Sequence, residues 1–192
     1  MRVLVTGFEA FGGMDSNPTQ ALIGALKNHE VPFPKTMKVE GLLLPVSFSE
    51  VFTLFQEKVE SFNPDVILSF GLASSREAIE LETTAVNEIN ADIPDNRGIR
   101  PMHQKISPEG PLSFSSSLPL TGLEHALKNA GFPVKSSQSA GEYVCNYLFY
   151  RMMETNQDTF RLCGFIHVPS ENIIPIQELR RALSIILNYL EY

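Results

Sequence analysis

Apolar positions along this chain fall into short continuous runs and longer stripes at helical spacing. Val3 to Thr6 is a run of β-branched and apolar residues stopped at Gly7, and it predicts a buried strand of a mostly parallel sheet. After the glycine-rich stretch "GFEAFGG", Asn17 stands as a helix N-cap with Pro18 at the first helical position of "NPTQALIGALKN". Val39 to Val46 predicts a second strand. Ser47 and Glu50 have the spacing of a capping box, ahead of a stripe formed by Phe48, Val51, Phe52, Phe55, Val59 and Phe62. "NPD" ends that helix, and Val66 to Phe70 is a third buried strand.

The order strand, helix, strand, helix, strand is that of an α/β domain with helices packed on a parallel sheet. Ligands of such sheets bind beyond the carboxyl ends of the strands, which puts Gly7–Gly13 and Gly71–Glu82 on the functional edge. The pattern is then lost. Residues 91–122 are dense in proline, glycine and serine, and read either as a binding loop or lid, or as a surface excursion with a short hairpin. Regularity returns in "TGLEHALKNAGF", where Thr121 and Glu124 suggest another capping box and Gly131 a stop. Gly141 to Glu154, apolar on most sides, predicts a buried helix. Leu162 to Val168 predicts the last strand. Ile176, Leu179, Leu183, Ile186, Leu187 and Leu190 share one face of a final helix. No internal repeat or domain boundary is visible, so residues 1–192 are expected to form one domain.

Charge narrows the functions. A net charge of −7 disfavours nucleic-acid phosphates, and no Lys/Arg run points to anionic membranes. No apolar stretch reaches the ~18 residues of a membrane span, and "MRVLVTGF" lacks the features of a signal peptide. With two cysteines in 192 residues, free thiols in a reducing cytoplasm are the expectation.

Candidate chemistry centres on Cys145 and His167. Cys145 lies within about one turn of a predicted helix start, where the helix dipole favours a thiolate; His167 ends an apolar strand just before a proline. A histidine within reach of the thiol would activate it, with a carboxylate or amide to orient the ring. The residues alone also allow Cys145 as a small core side chain. Cys163 reads as core. His29 and His125 lie on or beside amphipathic helices and are expected to face solvent, and His103 lies in the long loop. Two cysteines and four dispersed histidines show no zinc spacing, and "GFEAFGG" lacks the Walker lysine and the dinucleotide fingerprint. Phe8 and Phe11, read alone, are core residues.

Four segments taken together add a resemblance. "VTGFEAFGG" at 5–13 with "NPT" at 17–19, "AVNEINADIPDNRG" at 85–98, "SAGEYVCNYLFY" at 139–150 and "GFIHVP" at 164–169 resemble the pyrrolidone carboxyl peptidase (pyroglutamyl peptidase type I) family in order and interval. The resemblance implies a cysteine exopeptidase that hydrolyses the bond after an amino-terminal pyroglutamyl residue through a thioester acyl-enzyme. It implies a single-domain three-layer α/β/α sandwich with a mostly parallel twisted sheet, of the phosphorylase/hydrolase-like kind. By position it implies Cys145 as nucleophile, His167 as general base, Glu82 as the carboxylate orienting the histidine, and Phe8 and Phe11 as the aromatic pair holding the lactam ring. No metal or cofactor is implied. The expected partners are peptides with N-terminal pyroglutamate and further copies of the chain, as a dimer or tetramer, in the cytoplasm.

The chain departs from that pattern at Leu72, at Ser74 and Ser75, at Thr83 and at Asp92, which stands where relatives often carry an arginine. A carboxylate beside the thiol would disfavour the thiolate. These departures admit a second reading, a weakened or repurposed relative that binds pyroglutamyl-like ligands without efficient turnover. A nucleoside phosphorylase of similar fold is a third, but no convincing phosphate-binding arginine set is present.

Overall fold

The structure, a computed structural model, describes residues 1–156 and 162–191. The chain runs β1 (Arg2–Phe8), α1 (Pro18–Lys27), β2 (Lys38–Leu44), α2 (Val51–Phe62), β3 (Val66–Leu72), β4 (Ile79–Glu82), β5 (Thr84–Val86), β6 (Ser113–Ser115), α3 (Leu120–Asn129), β7 (Val134–Ser137), α4 (Val144–Thr155), β8 (Leu162–Val168) and α5 (Ile176–Leu190). Six strands form one sheet in the order β2-β1-β3-β8-β4-β7. The first four are parallel, whereas β4 runs antiparallel to β8 and pairs in parallel with β7. The sheet is therefore mixed and mostly parallel.

Side chains alternate across the strands and so build two cores. Val3 and Val5 of β1 and Leu68 of β3 pack with Leu22 of α1, Leu127 of α3 and Leu183 of α5 on one face. Leu4 of β1, Ile67 of β3 and Phe165 of β8 pack with Phe55 of α2 and Leu148 and Phe149 of α4 on the other. Helices thus cover both faces, giving the three layers expected from the sequence. On one side Gly7 lets α1 approach closely, since a Cβ there would sit 2.6 Å from the Thr19 carbonyl oxygen.

The start of α1 forms as predicted, with the Asn17 side chain accepting from the Thr19 N–H and Pro18 at the first helical position. Neither predicted capping box forms. Ser47 Oγ instead meets Ser49 Oγ, the Phe48 N–H is taken by Asp95, and Glu50 pairs with Arg97. In α3, which starts one residue earlier than its predicted cap, Glu124 bonds Lys128 and Ser136. In both cases a tertiary partner outcompetes the local cap. Gly131, at φ +88°, does end α3.

The segment 91–122 is less irregular than its composition suggests. It contains β6, paired antiparallel with β5, and a bridge links Gln104 to Ile89. Strands β4 and β7 escaped the sequence reading altogether, because "IELE" and "VKSS" carry charged and small polar residues where a buried strand is usually apolar.

Candidate active site

The four separated segments meet beyond the carboxyl ends of β1, β3 and β8; hydrogen bonds lace the first three together, and Phe165 of the fourth packs on Phe8 and Phe149. The Phe8 N–H donates to Thr19 Oγ1, and Asn17 Nδ2 donates to the Glu9 carbonyl, so "NPT" fixes the loop after β1. Asn96 Nδ2 donates to Glu9 Oε1 and to the Ala10 carbonyl, tying the 85–98 segment to the same loop. Asn146, wholly buried in the first turn of α4, accepts from the Val86 N–H at 3.0 Å and donates to the carbonyls of Val86 and Glu88, each at 2.9 Å.

Cys145 is the second residue of α4. Its helix start has Tyr143 as N-cap and no side-chain cap, so the first N–H groups have no intrahelical partner and carry the positive end of the dipole. The sulfur lies over β3: a Cβ on Gly71 would stand 2.9 Å from Cys145 Sγ and 2.8 Å from Phe165 Cε1. Only a glycine admits the helix start this close. Gly71 is in turn the register partner of His167 on β8. Cys145 is half-buried, whereas Cys163 is fully buried in β8.

His167 is 4% exposed and Glu82 wholly buried, and Nδ1 of the ring lies 2.7 Å from Glu82 Oε1. A carboxylate only accepts, so Nδ1–H donates and Nε2 is left as the free acceptor. The reversed direction of β4 makes this contact: Glu80 is in register with His167, and Glu82, two residues on, points from the same face. The same Glu82 Oε1 takes Arg76 Nη1 at 2.7 Å, while Oε2 has no hydrogen-bond partner among the described residues. Cys145 and His167 share no hydrogen bond in this structure; His167 is held instead through Nδ1 by Glu82.

Burial pushes the Cys145 thiol up to about 12; the Glu82 charge adds to the rise and the Arg76 charge opposes it. The resting cysteine is therefore a protonated thiol at neutral pH. Asp92, expected to disturb the thiol, is an exposed residue on the wall of a neighbouring cavity, and the charges that act on the sulfur are Glu82 and Arg76. Leu72 is buried at the end of β3, and Ser74 and Ser75 lie in the turn that delivers Arg76. Thr83 Oγ1 donates to the Ser137 carbonyl.

The two phenylalanines part company. Phe8 is 2% exposed and packs on Phe165 at a ring separation of 6.3 Å. Phe11 keeps part of its surface and meets Tyr143, 6.0 Å away, in an aromatic group completed by Phe48 and Tyr147. The cavity beside this group holds about 520 Å³ and is lined by Asn90, Asp92, Ile93, Ser139, Gly141, Glu142 and Tyr143. His29, His103 and His125 are exposed.

The pyroglutamyl peptidase family model matches residues 1–185. The chain belongs to the pyroglutamyl peptidase family. It is 38% identical over 171 residues to the pyrrolidone-carboxylate peptidase of Pyrococcus furiosus, covering 88% of this chain and 81% of that protein. Against the Vibrio vulnificus pyrrolidone-carboxylate peptidase it is 37% identical over 168 residues, 88% of this chain and 78% of the other. Among solved structures it is similar to a mutant pyrrolidone carboxyl peptidase of P. furiosus, at TM-score 0.92 and 33% identity, with 100% of this chain and 99% of that one covered. It is also similar to pyroglutamyl peptidase I of Bacillus amyloliquefaciens, at TM-score 0.90 and 29% identity, covering 100% and 97%. Both solved structures thus match this chain's fold over its whole length.

Arg76 and Asn146 are the residues that reading the sequence left without a role. Asn146 lies in "SAGEYVCNYLFY" and Arg76 in the Gly71–Glu82 stretch, but a polar side chain's buried partners are set by tertiary contacts that spacing does not reveal.

Proposed function

We propose that this chain is a cysteine exopeptidase that removes an N-terminal pyroglutamyl residue from peptides, with Cys145 as nucleophile, His167 as acid–base and Glu82 as its orienting carboxylate. The observation that carries the residue assignment is the buried Glu82–His167 pair, set at the strand end over which the Cys145 sulfur lies. The family of the chain and the names of its relatives support the activity.

Because the thiol is protonated at rest, the reaction begins with His167 Nε2 taking its proton as sulfur attacks the pyroglutamyl carbonyl. The oxyanion that forms faces the uncapped N–H groups at the start of α4. Collapse of this intermediate breaks the C–N bond, and the imidazolium returns its proton to the departing amine. Glu82 holds the ring and offsets its transient charge. His167 then deprotonates a water, which attacks the thioester; pyroglutamate leaves and the thiol is restored. The lactam is small, flat and uncharged, so aromatic faces can bury it without a counter-ion. Phe11, with Tyr143, offers the accessible face, and Phe8 is the packed floor behind it. The cavity at Asp92 and Glu142 takes the leaving peptide.

No helix among the described residues is long and apolar enough to cross a membrane. We place the activity in the cytoplasm and expect an assembly of two or four copies; exposed Met102 and Leu112 in the long segment support association. Light scattering reads the assembly. The mechanism is tested by acid-quenching the enzyme during turnover and mapping the adduct. A pyroglutamyl mass on the peptide that carries Cys145 is expected, and an adduct elsewhere, or on Cys163, would overturn the assignment.

A further inference from the structure

Arg76 occupies a position that the reaction scheme does not use. It lies on the turn after β3, with 21% of its side chain exposed, and reaches inward between two strands and a loop. Nη1 pairs with Glu80 and Glu82 of β4 and approaches Ser137 Oγ of β7 at 3.3 Å. Nη2 donates to the carbonyl of Ser139 at 2.9 Å. Ser139 opens the "SAG" segment that leads into the start of α4, and it also lines the leaving-side cavity. One guanidinium therefore touches the carboxylate that holds His167 and the backbone that delivers Cys145.

We propose that Arg76 is a positioning residue for both halves of the site: Nη1 fixes the Glu82 carboxylate that orients His167, and Nη2 clamps the segment that sets Cys145 at the helix start. The proposal rests on the catalytic assignment above.

Three physical points carry it. First, Glu82 has no exposure, and a carboxylate withdrawn from water is costly unless paired; Arg76 is its partner besides His167 among the described residues. Second, the two contacts diverge from different nitrogens of one planar fork, which a single ammonium cannot reproduce. Third, the charges facing this centre come from every element packed on it. They are Glu80 and Glu82 on β4, Lys135 on β7 at 3.1 Å from Glu80, His167 on β8 and Cys145 on α4. With a neutral imidazole and a thiol, Arg76 and Lys135 balance the two glutamates. Removing Arg76 leaves a net negative charge beside the sulfur, and the Arg76 charge is the one that opposes the upward push on the thiol.

The test compares Arg76→Gln, Arg76→Lys and the double variant Arg76→Gln with Glu80→Gln, which restores the charge balance and so guards against loss of folding. Folding is followed by circular dichroism, turnover with a pyroglutamyl arylamide, and Cys145 reactivity by iodoacetamide with peptide mapping. Arg76→Gln is expected to be alkylated several-fold more slowly at each pH from about 7 to about 9, because less thiolate is present. Its kcat is expected to fall roughly 10²-fold, with a much smaller change in KM, as for a misplaced catalytic group. Arg76→Lys and the double variant should recover the alkylation rate, because the charge balance is kept. Neither should recover kcat, because the Ser139 clamp is lost. A residue that only braces the fold would not separate these readouts.

Wild-type kcat in folded Arg76→Gln overturns the proposal; if that variant does not fold, wild-type kcat in Arg76→Lys does so. Equal alkylation rates in the folded Gln and Lys variants also overturn it. Cys145→Ala separates the two levels. If it keeps turnover, the catalytic assignment fails. If it is inactive while every Arg76 variant is fully active, the Arg76 proposal alone fails.

Discussion

His167 Nδ1 stands 2.7 Å from Glu82 Oε1 across two strands that run in opposite directions, and both side chains are almost fully withdrawn from water. The carboxylate accepts from Nδ1–H, which leaves Nε2 as the acceptor nitrogen that the proposed mechanism uses. In Glu82→Gln an amide replaces it, which can present N–H to the ring and favour the wrong tautomer. We expect kcat to fall by roughly 10³-fold with KM little changed. Steady-state kinetics on a pyroglutamyl arylamide read this, and a change confined to KM would count against an orienting role.

Gly71→Ala tests the close approach of α4 to β3. The added methyl would meet Cys145 Sγ at 2.9 Å and the Phe165 ring at 2.8 Å, so the helix start must shift. Overpacking of this kind costs about 1–3 kcal/mol. Urea denaturation should show the loss as a lower midpoint at unchanged slope, and turnover should drop more than stability explains. A variant with wild-type activity would show that the sulfur does not need this spacing.

Cys145 also predicts a pH dependence. Its thiol is held protonated up to about 12 in the fold, against an ordinary value of 9.0. Above the ordinary value the unfolded chain gives up this proton first, so the folded state binds more protons and stability falls as pH rises. The wild type should therefore lose stability relative to Cys145→Ala between pH 8 and pH 10, as measured in urea; the rest of that contribution is lost by about 12. Alkylation of the free enzyme should keep rising through the same range without a plateau near neutrality. A neutral-pH plateau would mean a preformed thiolate and would refute the resting thiol.

Asn146→Ala removes a buried side chain that satisfies three backbone groups of residues 86 and 88. The orphaned groups should cost on the order of 3 kcal/mol. The 85–98 segment should also open, which hydrogen exchange at Val86 and Glu88 would register. Unchanged protection there would show that other contacts hold the segment.

Asp92→Asn should leave the alkylation rate of Cys145 nearly unchanged, because the charges acting on the sulfur are Glu82 and Arg76. A clear acceleration would place Asp92 in electrostatic contact with the thiol.

Much of this was written in the chain's apolar pattern. The runs at Val3, Val66 and Leu162 are strands buried on both faces, so alternation was not needed to see them. The stripe from Leu179 to Leu190 is the buried face of α5. The reversed strand β4 was hidden, because its glutamates are buried as partners of Arg76 and His167 and look exposed to any rule based on polarity. Cys145 and His167 are candidates by their places at a helix start and a strand end, whereas Glu82 is named only through the resemblance carried by segments scattered over the chain. Their meeting depends on sheet order, which places β8 between β3 and β4. Arg76 carries no local signal, since its significance lies in joining Glu82, six residues on, to Ser139, 63 residues away. The resemblance pairs Phe8 and Phe11, whereas burial separates them: Phe8 is packed in the core and Phe11 keeps part of its surface.

The central claim is that Cys145 is the nucleophile of a pyroglutamyl peptidase. The most direct measurement is turnover of a pyroglutamyl arylamide by the wild type, Cys145→Ala and Cys163→Ala, each checked for folding. The account predicts release of the arylamine by the wild type and by Cys163→Ala, and none above background from Cys145→Ala. Undiminished release from Cys145→Ala, or a folded wild type that releases nothing in the presence of reductant, would contradict it.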